Sequence, residues 1–543
     1  MKLDSTFISS DRTEYTEKGY AVPTYDILKV RETTEKEPEW IHFGGGNIFR
    51  AYIANLADRM LEEGITDKGV ITCSGFDREN IECIYRAHDN HSILVTLDGS
   101  GKMEKKIISS VTEALLLSHD SDDFMRLKEI FRSPSLKIAT FTITEKGYSI
   151  TDAKGDVKEE ISSDILNGPE NPLSYLGAVT ALLYERFRTG KLRISMCSLD
   201  NCSHNGDRLK NAVKYIAEGW VKNMKCEEEF LGYILDPSYV AFPYSMIDKI
   251  TPRPDPKVQA MLKGDGFTDM DILVTEKKTY LAPFTNAEKP EYLVIEESFP
   301  NGRPDFHKVG VYVTDRDTVL KAERMKVTTC LNPLHTALAV YGCLLGYTKI
   351  SQEMLDPVLK TLVYRLGYTE GLPVVTDPGI ISPEDFIKEV LEERIPNPFL
   401  PDTPQRIAMD TSQKLPVRFG ETIKEYMRRG MDLDNLICIP LVFSGWLRYL
   451  VSLDDSLEPF EVSADPFYNE LAEKLKGIVP GETDRNKVEN AVKDILRDDR
   501  IFGVDLYEAG LAEKVIDLLL EELKGKNAVY RTLSKYMTDT EHI

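Results

Sequence analysis

The sequence predicts an α/β fold followed by a mainly helical second part. Up to about residue 310, short apolar runs such as EWIHFGGG, GVITCSGF and KIATFTIT alternate with amphipathic stretches, as α/β proteins require. After about residue 316 the apolar runs lengthen and take helical spacing, as in TALAVYGCLLGY and AEKVIDLLLEELKGK. We therefore expect a change of architecture between these two regions.

The length of the chain indicates two domains. A chain of 543 residues exceeds what one hydrophobic core usually organises. We place an α/β domain with an N-terminal extension at residues 1–310 and a helical domain at residues 311–543.

Composition excludes several classes of protein. The net charge of -22 is spread along the chain, and no block rich in Lys and Arg offers a nucleic-acid footprint. A local pocket of Arg and Lys can still bind a small anionic substrate. No apolar stretch is long enough to span a membrane, so we expect a cytoplasmic protein. Eight cysteines without a CxxC pair indicate reduced thiols, and we predict no metal.

A strand, a glycine turn and a helix follow one another near residue 44. The apolar run WIHF leads into Gly44 and Gly46, which suit a tight turn and a close approach to a pyrophosphate. The helix that follows offers free N–H groups at Asn47, Ile48 and Phe49. Phe49 stands where the usual fingerprint has a third glycine, so an ordinary loop is the alternative. With the α/β pattern, the turn predicts a Rossmann-like dinucleotide-binding domain.

Asp77 ends the next predicted strand, VITCSGF. A carboxylate there can accept hydrogen bonds from the adenosine ribose, which favours NAD over NADP. Its neighbour Arg78 could instead pair with a 2′-phosphate, so NADP stays open. The alternative is that Asp77 only caps a helix.

Lys326, Asn332 and His335 bring together the groups that carbonyl reduction needs. Hydride arriving at a ketone carbon leaves charge on oxygen, which needs hydrogen-bond donors and an acid. Asn332 and His335 are three residues apart, about 60° on a helix, and can aim at one oxygen. Pro333 favours a helix start with Asn332 as its cap. The alternative is that none of the three is catalytic: Asn332 only caps the helix, His335 is a polar helix residue and Lys326 is a solvated surface charge.

Several motifs in order resemble one known family. They are IHFGGGNIFRAY, TFTITEKGY, SLDNCSHNG, FPYSMIDKIT, KVTTCLNPLH and NPFLPDTPQRIAMDTSQKLP. Together they resemble the polyol-specific long-chain dehydrogenases, which include mannitol 2-dehydrogenase, fructuronate reductase and tagaturonate reductase. The resemblance implies an NAD-dependent enzyme, monomeric or homodimeric, acting on a sugar acid or polyol.

The resemblance also implies roles for individual residues. It makes Lys326 the acid/base and Asn332 and His335 the oxyanion donors. It implies that Asn201 of the DN motif is a further polar contact to the reacting oxygen or substrate, while Asp200 can equally be structural.

Further residues fall on substrate or cofactor positions of the family. Arg406 and Lys414 would hold substrate hydroxyls or a carboxylate, although a solvated charged loop is the alternative. Glu145 and Glu323 would tune the lysine or relay its proton, with Glu145 on the cofactor side. Asp248 would support the cofactor or substrate, and a structural salt bridge is the alternative.

One spacing departs from the family pattern. Lys326 and Asn332 are six residues apart, whereas the family has five. On an unbroken helix the extra residue would rotate Lys326 by about 100° away from Asn332 and His335. Thr328, Thr329 and Pro333 are poor residues for the middle of a helix, so we expect a break or bulge to absorb it.

The resemblance favours one reaction within the family, the reduction of D-fructuronate to D-mannonate. The preference rests on the length and overall pattern of the chain. Mannitol 2-dehydrogenase and tagaturonate reductase activities are alternatives, and a nucleotide-binding protein without catalysis is the alternative from another class.

Overall fold

The computed structural model describes residues 1–75, 77–99 and 101–538. The chain folds as two compact units, Met1–Val319 and Leu320–Ile543. The first unit is α/β and the second is helical, so the predicted fold class is confirmed. Among the described residues, no helix is both long and apolar enough to cross a membrane.

The first unit contains all fifteen strands found in the described residues. They are β1 (Tyr20–Ala21), β2 (Trp40–Phe43), β3 (Val70–Ser74), β4 (Ser92–Leu97), β5 (Met103–Ile108), β6 (Val111–Leu116), β7 (Ile138–Phe141), β8 (Ile194–Ser198), β9 (Val240–Ala241), β10 (Ser245–Asp248), β11 (Leu273–Val274), β12 (Tyr280–Leu281), β13 (Phe284–Glu288), β14 (Tyr292–Glu296) and β15 (Tyr312–Thr314).

The central sheet has the order of a classical dinucleotide-binding fold. Its six strands run β6-β3-β2-β7-β8-β9, and every neighbouring pair is parallel. Of the six strands of this sheet, β2 comes first along the chain and lies in the middle, so the order reverses between β2 and β7. Crevices at such reversals, outside the carboxyl ends of the strands, are where dinucleotides bind.

The two faces of this sheet are buried by two separate clusters, as a parallel sheet requires. Along β2, Ile41 and Phe43 join one cluster and Trp40 joins the other. The period-two alternation of the strand therefore explains a run that is apolar at nearly every position.

Smaller sheets surround the central one. They have the orders β1-β5-β4-β13, β10-β14-β15 and β11-β12. The helices up to the division are α1 (Thr13–Glu17), α2 (Ile27–Lys36), α3 (Ala54–Glu62), α4 (Asp122–Arg132), α5 (Glu159–Asn167), α6 (Tyr175–Arg188), α7 (Asn205–Lys222), α8 (Glu228–Leu235), α9 (Pro256–Gly264) and α10 (Arg316–Met325), which runs past Val319.

Helices provide the regular structure of the second unit. They are α11 (Asn332–Leu345), α12 (Ile350–Glu353), α13 (Pro357–Tyr364), α14 (Pro383–Glu389), α15 (Pro404–Ile407), α16 (Thr411–Leu415), α17 (Glu421–Arg429), α18 (Cys438–Tyr449), α19 (Tyr468–Lys474), α20 (Arg485–Leu496), α21 (Asp499–Phe502), α22 (Ala512–Glu522) and α23 (Ala528–Met537).

Short π-helical and 3-10 segments occur beside or between these helices. The π-helical segments are Phe49–Ile53, Asn80–Tyr85, Lys326–Cys330, Arg365–Gly371, Val390–Arg394 and Pro416–Gly420. The 3-10 segments are Phe7–Ser9, Arg86–His88, Glu145–Tyr148, Phe306–Val309, Leu372–Val374 and Leu433–Asn435.

Helix α11 is the core helix of the second unit. Almost all of its side chains are buried. Gly346 ends it in the left-handed conformation at φ 77°, and the amide of Tyr347 donates to the carbonyl of Gly342 at 2.8 Å. This is the usual glycine stop of a helix, so α11 has a defined end and a buried body.

Candidate functional site

The glycine turn lies at the carboxyl end of β2. Gly44 has φ 126°, and a Cβ atom there would lie 2.3 Å from the carbonyl oxygen of Thr142, which follows β7. A Cβ atom on Gly46 would meet nothing within 4 Å. Gly44 is therefore needed by the fold, whereas the exposed backbone at Gly46 is open to a ligand.

Two side chains that the sequence did not single out hold the middle of this turn. The Asn80 amide and the Tyr85 hydroxyl donate to the carbonyl oxygen of Gly45 at 3.0 and 2.8 Å. Both residues are buried and lie in the π-helical segment after β3. No motif marks them, since only the fold brings them to the turn.

The helix after the turn begins with free amides. The amide of Arg50 donates to the carbonyl of Gly46 at 3.2 Å, so the amides of Asn47, Ile48 and Phe49 precede the first intrahelical bond. Their N–H groups and the helix dipole favour an anion. The Asn47 side chain is used within the protein, since its amide donates to Pro252 and its oxygen accepts from Arg50.

Phe49 occupies the position of the third glycine in the usual fingerprint, and its side chain has a structural role there. Its ring is fully buried and stacks on His42 at 4.5 Å, in a π-helical first turn. The two His42 nitrogens hydrogen bond with the hydroxyls of Thr140 and Thr142 at 2.7 and 2.8 Å. Burial lowers the pKa of His42 to about 3. The Phe49 side chain is therefore core, and only its backbone can face a cofactor.

Asp77 follows β3, as predicted, but its carboxylate has partners within the protein. It accepts from the amide of Glu79 at 3.2 Å and from the Thr279 hydroxyl at 2.5 Å. The side chain is buried. In this conformation the Asp77 carboxylate binds a backbone amide, as the capping alternative predicts. A ribose hydroxyl would have to compete with the Thr279 hydroxyl for the same carboxylate.

The loop after β7 holds a strained residue. Thr144 has φ 64° and ψ 159°, a region that is essentially restricted to glycine. The Asp200 carboxylate accepts from the amides of Ile143 and Thr144 at 2.8 and 3.0 Å, and from the Tyr148 hydroxyl at 2.6 Å. Burial raises the pKa of Asp200. The Asp200 carboxylate therefore holds this loop in place. This agrees with the alternative that Asp200 has a structural role.

Glu145 follows Thr144 and is exposed. Its carboxylate forms an ion pair with Arg208 of α7 at 2.9 Å. Both residues line an open cavity of about 990 Å³ between this loop and α7. Glu145 thus lies near the carboxyl edge of the sheet, paired with a cation of its own unit.

Asn201 and Asp248 lie elsewhere in the first unit. Asn201 is exposed in the loop after β8, directly after Asp200. Asp248 is buried at the end of β10, opposite Tyr292 of β14.

Lys326 begins the π-helical segment of the second unit and is 1% exposed. The amide of Leu331 donates to the carbonyl of Lys326 at 3.2 Å, a bond over five residues instead of four. A bulge of this kind absorbs one extra residue, so the predicted interruption before Pro333 is present. Glu323 lies half-buried one turn earlier on α10.

Asn332 and His335 share the first turn of α11. The predicted cap is wrong by one residue: Leu331 is the N-cap, Asn332 is the first helical residue, and no side chain caps this end. The helix starts earlier because the carbonyl of Leu331 accepts from the amide of His335. The Asn332 side chain is therefore not engaged in capping.

His335 is held in its neutral form. Burial lowers its pKa to about 4 against the effect of Asp402, and the charges of Arg394, Arg418 and Arg406 contribute to the same lowering. A neutral imidazole can donate one hydrogen bond, as an oxyanion contact requires.

Basic side chains surround this first turn. Arg406 is 63% exposed and forms an ion pair with Asp402. Lys414 donates to the backbone carbonyls of Ile407 and Met409. Arg418, which the sequence interpretation missed, donates to the Thr336 hydroxyl at 2.5 Å. Its position four residues after Lys414, one helical turn, is the signal that could have pointed to it.

Comparison with known proteins defines the class. The description "Mannitol dehydrogenase Rossmann domain" matches residues 38–308, and "Mannitol dehydrogenase C-terminal domain" matches residues 318–523. A D-mannonate oxidoreductase of Thermotoga maritima is 49% identical over 98% of this chain and 99% of its own.

Solved structures agree with these matches. A D-sorbitol dehydrogenase in substrate-free form is 25% identical, with a TM-score of 0.80 over 97% of this chain and all of its own. A Pseudomonas fluorescens mannitol 2-dehydrogenase, solved with NAD and D-mannitol, is 24% identical, with a TM-score of 0.70 over 99% of this chain and all of its own. The protein is thus an oxidoreductase with a Rossmann-type domain. It belongs to the mannitol dehydrogenase family.

Proposed function

We propose that the protein reduces D-fructuronate to D-mannonate with NADH. The observation that carries this proposal is the 49% identity to a D-mannonate oxidoreductase over nearly the whole of both chains. Physical support comes from Arg394, Arg406 and Arg418, whose charges act on His335 in the first turn of α11, and from Lys414, on which Arg406 and Arg418 act in turn. Such a cluster favours a carboxylate-bearing substrate over an uncharged ketose.

The residues of the glycine turn fit NADH. Gly46 leaves open the space that a side chain would fill, and Gly44 permits the sharp turn. The amides of Asn47, Ile48 and Phe49 would hold the pyrophosphate. Asp77, at the end of β3, would favour the ribose hydroxyls of NAD over the 2′-phosphate of NADP.

NADH, when bound, supplies the hydride that reaches the ketone carbon. The Lys326 ammonium would donate its proton to the ketone oxygen, and the amine would recover a proton from solvent. Asn332 and His335 would each donate a hydrogen bond to that oxygen. His335, whose pKa is lowered to about 4, is uncharged near pH 7, which leaves Lys326 as the acid.

The other predicted residues take supporting places in this proposal. Asn201 would add a polar contact near the reacting oxygen, and Glu145 and Glu323 would relay the proton of Lys326. Asp248, Arg406 and Lys414 would contact substrate. A cytoplasmic location is supported by the eight cysteines, all of them free thiols. We propose a monomer or a homodimer.

The assay is the change in absorbance at 340 nm with NADH or NADPH and three substrates: D-fructuronate, D-tagaturonate and D-fructose. We expect the highest kcat/KM with D-fructuronate and NADH. Preference for D-tagaturonate or D-fructose would assign one of the other activities of the family. Binding of NADH without reduction of any of the three would contradict an enzymatic role.

A further inference from the structure

Arg418 lies in the π-helical turn that follows α16, beside the first turn of α11. One nitrogen of its guanidinium, Nη1, donates to the Thr336 hydroxyl at 2.5 Å and to the carbonyl of Asn332 at 3.4 Å. The other guanidinium N–H groups make no hydrogen bond to the described residues. Arg418 thus contacts the helix that carries Asn332 and His335 and keeps unused donors.

No carboxylate neutralises Arg418 among the described residues. Burial lowers its pKa to about 10, and no acidic group opposes that effect. Arg418 is half-buried, and a partly desolvated cation without a counter-charge is costly in a folded protein. Such a group is typical of a site that receives an anion from outside the chain.

Lys414, four residues earlier, is a second half-buried cation. It donates to two backbone carbonyls and forms no ion pair within the described residues. Burial and the charge of Arg418 lower its pKa to about 8, although Asp410 and Asp465 act in the opposite direction. Two like charges one helical turn apart destabilise each other. An anion bound between them would relieve that repulsion.

Arg406 differs from both. Its guanidinium is mostly exposed and already forms an ion pair with Asp402. A substrate carboxylate would have to displace Asp402 from Arg406, whereas Arg418 needs no such exchange.

We propose that Arg418, with Lys414, binds the carboxylate of a keto sugar acid and makes the enzyme select it over an uncharged ketose. This inference rests on the proposed function and deepens it. Since the same guanidinium contacts Asn332 and Thr336, carboxylate binding would also steady the first turn of α11. Arg418 is then a specificity-determining residue that touches substrate.

The test compares four variants with the wild type. Arg418→Gln removes the charge, and Arg418→Lys keeps it. Thr336→Val removes the internal contact of Arg418 at 2.5 Å but leaves its charge. Arg428→Gln is the matched control, because Arg428 is 67% exposed and pairs with Glu425. KM for D-fructuronate and NADH is measured for each, with inhibition constants for D-mannonate and D-mannitol.

We expect Arg418→Gln to raise KM for D-fructuronate and the inhibition constant of D-mannonate by roughly 10- to 100-fold. Arg418→Lys should restore part of this loss. The values for D-mannitol and NADH should change by less than about threefold, as should all values for Arg428→Gln. Thr336→Val should also remain close to the wild type.

Three results would overturn the inference. Equal losses for D-mannonate and D-mannitol would show that Arg418 does not recognise the carboxylate. An equal loss in Thr336→Val would assign Arg418 to packing alone. A raised KM for NADH with an unchanged KM for D-fructuronate would assign the anion to a cofactor phosphate. The proposed function is judged separately, from the substrate preference of the wild type, so the two failures are distinguishable.

Discussion

The amide of Leu331 donates to the carbonyl oxygen of Lys326 at 3.2 Å, across five residues instead of four. This bond closes a π-helical turn between Lys326 and the start of α11. Such turns insert one residue into a helix and recur at functional sites. The extra residue before Asn332 is therefore accommodated locally, while α11 continues as a regular helix.

Replacing Lys326 should separate binding from turnover. We expect Lys326→Ala to lower kcat by roughly 100- to 10,000-fold, the usual contribution of a general acid, with NADH affinity unchanged. Steady-state kinetics and NADH fluorescence titration measure the two quantities. Lys424→Ala is the control, since Lys424 is 48% exposed and pairs with Glu421. Full turnover in Lys326→Ala would mean that another group donates the proton.

The two outer glycines of the turn should respond differently to alanine. Gly44→Ala should lower the free energy of unfolding by about 1–3 kcal/mol, because φ is 126° and the new Cβ would contact Thr142. Gly46→Ala should leave stability within about 0.5 kcal/mol, because the space is open, but weaken NADH binding. Calorimetry and NADH titration measure these effects. Normal NADH affinity in Gly46→Ala would remove Gly46 from the cofactor site.

Carboxylate binding should weaken in alkaline solution. The pKa of Lys414 is lowered to about 8 by burial and by Arg418 and Arg406, against Asp410 and Asp465. Above that pH the ammonium loses its charge, so the inhibition constant of D-mannonate should rise several-fold between about pH 7 and 9. D-Mannitol, measured in parallel, should show no such step.

Arg418→Gln provides a second readout of the same titration. Removing the positive charge of Arg418 should raise the pKa of Lys414 and move the step to higher pH. A step that stays in place would mean that another group titrates.

Asp200 and Thr144 should be energetically coupled. Asp200→Asn should lower the free energy of unfolding by about 1–3 kcal/mol, because the two amides and Tyr148 lose a charged acceptor. Thr144→Gly should be neutral or stabilising by up to about 1 kcal/mol, because it relieves backbone strain at the entropic cost of glycine. Calorimetry of both variants and the double variant measures the coupling. Strict additivity would contradict the idea that Asp200 holds Thr144 in its strained conformation.

Much of the fold was predictable because periodicity reports burial directly. The runs WIHF and VITCS became β2 and β3 of a parallel sheet, and Pro333 placed the start of α11 to within one residue. The N-cap was misassigned because proline is tolerated anywhere in the first turn, so its position does not fix the cap.

The site was less predictable wherever it depends on tertiary contacts. Asn80 and Tyr85 hold the carbonyl of Gly45 from 35 and 40 residues away, and no local pattern encodes that distance. In the sequence, Arg418 resembles any charged helix residue; only its environment shows that none of the described carboxylates forms an ion pair with it. The roles of Lys326, Asn332 and His335 remain predictions, and Lys326→Ala tests the first of them.

His42 joins β2 to β7 at the place where the strand order of the central sheet reverses. Its ring hydrogen bonds with the hydroxyls of Thr140 and Thr142 and stacks on the ring of Phe49. Because the pKa of His42 is lowered to about 3, the imidazole stays uncharged from mildly acidic to alkaline solution. The histidine that packs against the first helical turn after the glycine turn thus keeps one protonation state over that range. A change of cofactor affinity with acidity must originate in other groups.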